Sequence, residues 1–141
     1  MSYPIDQISF ELGVIYPFAE MVAIDVKRMA FSLPFLPEKF DLLVKDAKRI
    51  AGEHGVKIKL EKRILTTDLF PEEFTRGKWV FIIYKYPEVL LNYLHLKSKK
   101  EQLIKGKRYQ GKERKAIAIG LGTLLSYKMN LIQEKLKATA K

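Results

Sequence analysis

The string Gly106-Lys107-Arg108-Tyr109-Gln110-Gly111-Lys112-Glu113 has the glycine and lysine spacing of a nucleotide phosphate loop, up to its lysine. Such a loop needs Ser or Thr after the lysine to hold magnesium, and a buried strand leading into it. Here Glu113 stands in that place and a charged run, Lys97 to Lys105, comes before it. A carboxylate facing the phosphates excludes triphosphate chemistry of that kind.

The same stretch has a different use as a cationic surface. Residues 97–115 contain nine bases (Lys97, Lys99, Lys100, Lys105, Lys107, Arg108, Lys112, Arg114, Lys115) against Glu101 and Glu113. The expected anion-binding set is Lys99, Lys100, Lys105, Lys107, Arg108, Tyr109, Lys112, Arg114 and Lys115. The cations would contact phosphates, Tyr109 would stack on a base, and the first amides of the following helix would add donors. A solvated tip with no ligand is the other reading of a charge run. Replacing Lys107, Arg108, Lys112 and Arg114 with glutamine is expected to abolish polyanion binding while sparing the fold.

Carboxylates in apolar surroundings are the general acids and bases of many enzymes. Glu11, Glu20 and Asp25 lie in the most apolar part of the chain, and Asp68 follows Thr66 and Thr67 at the expected end of a strand. Glu20, Asp25 and Asp68 are the catalytic candidates. Five residues on a helix put Glu20 and Asp25 about 140° apart, so they do not face one another. Arg28 is in reach of Asp25 as an ion-pair partner, and Asp68 is placed to cap a turn before Pro71.

Other chemistry is excluded by residue type. There is no cysteine, hence no disulfide, thiolate ligand or cysteine nucleophile. The two histidines, His54 and His95, are far apart in sequence and neither has a second histidine one turn away, so no metal and no cofactor is expected. His54, just before Gly55, fits as a cation at a helix C-terminus. No serine sits in a nucleophile elbow.

The formal charge of +10 is uneven. Residues 1–70 carry ten Lys/Arg and ten Asp/Glu, while residues 71–141 carry sixteen against six. Lysine and glutamate are abundant and there are only two asparagines, a bias that resembles heat-adapted proteins. The N-terminus does not read as a secretion signal, and the apolar stretches at 14–24 and 116–127 are too short or too polar to span a bilayer. A cytoplasmic protein with no membrane partner is the expectation.

These residues need elements to hold them. At 141 residues the chain fits one α+β domain, residues 1–141. Apolar side chains fill positions 14–31 and predict a helix, broken or kinked by Pro17 and running on to Phe31. Pro37 opens a second helix, with Gly55 as its stop. Val56, Ile58 and Leu60 alternate with charges as a strand that continues toward Ile64 to Thr66, and residues 67–77 form a loop. Residues 78–86 are β-branched and aromatic enough for a central strand, antiparallel to the first. Pro87 starts a third helix, and a last one spans about 112–137.

The expected order is α-α-β-β-α-α, four helices packed on a small antiparallel sheet of two or three strands. Gly120 and Gly122 would let another backbone approach, either the first helix near Gly13, Ala19 and Ala23 or a second copy in a homodimer through the last helix. The leading functional expectation is a non-enzymatic binder of nucleic acid or another polyanion. The alternatives are a protein acting on an anionic substrate in a pocket between the first helix and the sheet, and an interaction subunit that only oligomerises.

Overall fold

The computed structural model describes residues 4–139. Its elements are α1 (Gln7–Ala23), β1 (Met29–Phe31), α2 (Phe40–His54), β2 (Lys57–Glu61), β3 (Val80–Tyr84), α3 (Pro87–Lys105), α4 (Gly111–Leu124) and α5 (Met129–Thr139). Short 3-10 turns fill Pro37–Lys39 and Glu72–Phe74. The α+β expectation holds. The order differs, with a third strand between the first two helices and five helices in place of four.

The sheet runs β1-β3-β2, with both pairings antiparallel. β3 is central and buried along its length, with apolar side chains on both sides. Phe81 and Ile83 pack with α1 and α2, while Ile82 packs with α3, α4 and α5. Helices thus cover both faces, and a fully buried side chain such as Ile82 or Ile83 is worth about 1.5–3 kcal/mol in this position. β2 keeps the predicted alternation but ends at Glu61; residues 64–67 are irregular, so the strand does not reach Thr66.

Four helices end in the same way. A residue at or just after each C-cap takes a left-handed conformation, and the next amide reaches back five residues to a carbonyl: Val26 to Met21, Val56 to Ala51, Arg108 to Leu103 and Tyr127 to Gly122. The left-handed residues are Asp25, Gly55, Lys107 and Ser126. Only one is the expected glycine. Asp25 therefore stops α1 at Ala23, freeing Met29–Phe31 to pair with β3, and Ser126 splits the expected last helix into α4 and α5. Pro17 lies inside α1.

Lys107 has φ 55° and an exposed side chain. A β-carbon there is strained, so Lys107→Gly is expected to raise unfolding stability by about 0.5–1 kcal/mol after the added freedom of the unfolded chain is subtracted. Chemical denaturation with an unchanged m-value would show it.

The glycine approach in α4 is internal. A β-carbon on Gly120 would lie 2.9 Å from Leu96 of α3, and one on Gly122 would lie 2.7 Å from Ile132 of α5. The partners are α3 and α5, not α1, and the stripe is used up within one chain. Among the described residues no helix is long and apolar enough to cross a membrane.

Candidate functional site

Residues 97–115 form an ordered helical hairpin: the last turns of α3, a tight turn at Gly106 to Gln110, and the first turn of α4. No strand leads into the glycine-lysine string. α4 begins at Gly111, with φ 57°, directly after a helix and its turn.

The nine bases divide into two sets. Three are tied to the end of β2 and the loop after it. Lys97 Nζ donates to Glu61 Oε2 at 2.8 Å, and both groups are largely buried. Lys100 Nζ donates to the carbonyl and to Oγ1 of Thr66. Arg114 grips Asp68 with two parallel bonds of 2.7 Å, the bidentate geometry that makes guanidinium-carboxylate pairs specific. Tyr109 is half-buried, with Lys100 Nζ and Arg114 Cζ each 5.1 Å from its ring centroid. The ring thus packs against the hairpin's own cations and lines the cleft beside them.

The electrostatics follow from these contacts. The bonds from Arg114 hold the Asp68 carboxyl below its ordinary value, and burial, with Arg114 beside it, lowers the Lys100 ammonium. Burial raises the Tyr109 phenol. For Asp68 the folded-state value is depressed, so the stabilisation it gives is present above about pH 4, the unfolded carboxyl range, and is lost as pH falls through the folded value. Stability measured from pH 5 downward should fall less steeply in Arg114→Gln than in the parent over that window. Equal slopes would remove the pair from the acid response.

The second set, Lys99, Lys105, Lys107, Arg108, Lys112 and Lys115, is exposed. Among the described residues its one close acid is Glu113, 3.9 Å from Arg108 across an exposed contact, which is worth little in water. Beside the hairpin, α4 and α5 enclose an open cleft of about 540 Å3 lined by Gly111, Arg114, Lys115, Gln133, Lys137 and Thr139, with Asp68 as its only acid. On the other side of the Asp68–Arg114 pair a second cleft, about 620 Å3, is lined by Glu72 and Glu73 as well as Lys100. Of these two clefts, the α4–α5 one has the more cationic lining. Lys137, Gln133 and Thr139 have no sequence motif to announce them, since they join the hairpin only through the break at Ser126.

The carboxylate candidates end up apart. Glu20 is exposed and has no ion-pair partner among the described residues. Asp25 is exposed and lies 3.7 Å from Lys85 and 3.4 Å from the Tyr86 hydroxyl, so its partner is Lys85 rather than Arg28. Asp68 is held by Arg114. It does not cap its turn; Thr67 Oγ1 does, accepting from the amide of Leu69 at 3.1 Å. Asp68 lines the two clefts beside Arg114, and Asp25 lines a separate cleft with Lys85 and Tyr86.

Glu11 is buried on α1, and its Oε2 has no hydrogen-bond partner among the described residues. His54 closes α2 as expected, with Nδ1 2.9 Å from the carbonyl of Ile50 and Tyr16 packed edge-on. Among the described residues no group of three His, Cys, Asp or Glu could hold a metal ion. Compared with models of known families, with curated proteins and with solved structures, the chain matches none.

Proposed function

We propose that this is a non-enzymatic nucleic-acid-binding protein that takes the sugar-phosphate backbone on the tip of the α3–α4 hairpin and the adjoining α4–α5 cleft. One observation carries the reading. Glu61 and Asp68, the acids that reach the hairpin from β2 and the loop after it, are taken by Lys97 and Arg114, while six cations stay exposed on the tip against the hairpin's own Glu101 and Glu113. The internal pairs hold the tip in place, and the exposed set supplies the charge.

The side chains offered on the tip are lysines and an arginine, and the α4–α5 cleft is lined by no aromatic residue. They suit phosphates and carry no means of reading base edges, so binding is independent of sequence. Mixed-sequence duplex and single-stranded oligonucleotides should bind at low salt, with log affinity falling linearly against log salt. The slope for duplex is about -0.9 per phosphate engaged, so roughly -3 to -5 is expected from this surface. Absent binding at 50 mM salt, or affinity insensitive to salt, would reject the function.

A further inference from the structure

A second cavity lies on the far side of the loop that anchors the hairpin. It occupies about 200 Å3 between the end of α1, the outer edge of β1, the loop after β2 and the α4–α5 turn, with walls that include Phe18, Phe31, Leu33, Phe70 and Leu125. At roughly 30 Å3 per water it has room for about seven, so its occupant is small. The walls are mostly apolar, and the one charged group among them is Lys27.

Lys27 is in an unusual position for a lysine. Its Nζ donates to the carbonyl of Leu125 at 2.9 Å and lies 5.1 Å from the centre of the Tyr127 ring and 5.8 Å from that of Phe18. Among the described residues it makes no ion pair. An ammonium has three donors, and the protein engages one of them. Partial burial lowers its pKa, the direction that a seated anion would reverse. Ring faces and one carbonyl offset only part of the desolvation of a cation.

We infer that this cavity binds a small monocarboxylate with an apolar body, about the size of benzoate, its carboxylate on Lys27 Nζ and its body among the aromatic and aliphatic walls. The single cation selects a single negative charge. A phosphate dianion would be half neutralised and would present no apolar surface to the walls. The site is separate from the hairpin tip and does not depend on nucleic-acid binding.

The competing account is that Lys27 only caps the C-terminal carbonyl of α4. Benzoate and its neutral counterpart benzyl alcohol separate the two by calorimetry and by amide NMR on the intact protein. Benzoate should bind roughly tenfold or more tightly than the alcohol, the scale of one charge-assisted hydrogen bond, and should move the amides of Phe31, Leu125 and Tyr127 while leaving Lys112 still. In Lys27→Met the two compounds should bind alike. No benzoate binding to the parent up to about 10 mM (a free energy weaker than about -3 kcal/mol), equal binding of both compounds by the parent, shifts confined to the hairpin, or a preference surviving in Lys27→Met would each overturn the site. The NMR result on the parent stands even if the variant folds poorly.

Discussion

Lys97→Met is expected to lower unfolding stability by about 3 kcal/mol, the low end of the range for removing one partner of a buried ion pair. The side chains of Lys97 and Glu61 are 22% and 10% exposed, so the surviving carboxylate could not recover its hydration. It would keep the amide of Arg63, 3.2 Å from Oε1, and the neighbouring Tyr93 hydroxyl. Against a total stability of about 5–15 kcal/mol the loss is large, equivalent to roughly 10 °C in melting temperature.

The double variant Lys97→Met, Glu61→Met should regain most of it, because the damage comes from an orphaned charge and not from a lost attraction. Thermal melts of the parent, both single variants and the double variant make the cycle. A double variant as unstable as Lys97→Met alone would show that the pair itself is the stabilising element. The pair also ties α3 to the end of β2, next to Tyr93, whose hydroxyl accepts from the buried amide of Leu65 at 3.0 Å.

The second large effect concerns binding. Converting Lys99, Lys105, Lys107, Arg108, Lys112 and Lys115 together to glutamine should flatten the duplex salt slope by as much as about five, at roughly 0.9 for each phosphate no longer engaged, and should weaken binding at 50 mM salt by roughly a hundredfold or more. Arg114 must be left in place. The set suggested by the sequence alone included it, yet its removal would free Asp68 and add a negative charge to the cleft, mixing the loss of a cation with a new repulsion. The melting temperature of the six-site variant should stay near that of the parent, since exposed charges contribute little to stability. Unchanged affinity would mean that the phosphates lie elsewhere.

How much the sequence revealed depended on how each signal is written. α2 was legible at both ends, with Pro37 before it and Gly55 after it, and the β3 run of Val, Phe, Ile, Ile and Tyr marked a strand buried on both faces. β1 was not. Its three residues continue an apolar run, its partner is some fifty residues away, and the helix before it ends on Asp25, a residue less distinctive than glycine at a left-handed position. Ser126 hid the α4–α5 break for the same reason.

At the site, the concentration of charge in 97–115 was plain, but its division was not. Which lysines face acids depends on the loop at 61–68 folding back on the hairpin, a long-range fact with no local pattern. Lys27 was lost among residues assigned to a helix.

The α1–β1 connection is fastened to the α4–α5 turn by Lys27 on the carbonyl of Leu125 and by the amide of Arg28 on Ser126 Oγ, 2.9 Å in each case and 98 residues apart in sequence. On a ribosome, the first helix would emerge and wait for almost the whole chain before that seam could close. The α3–α4 hairpin needs only neighbours to form, so the cationic surface can mature early while the cavity around Lys27 is completed last. Pulse-labelled hydrogen exchange during refolding should protect the amides of α3 and α4 before that of Arg28.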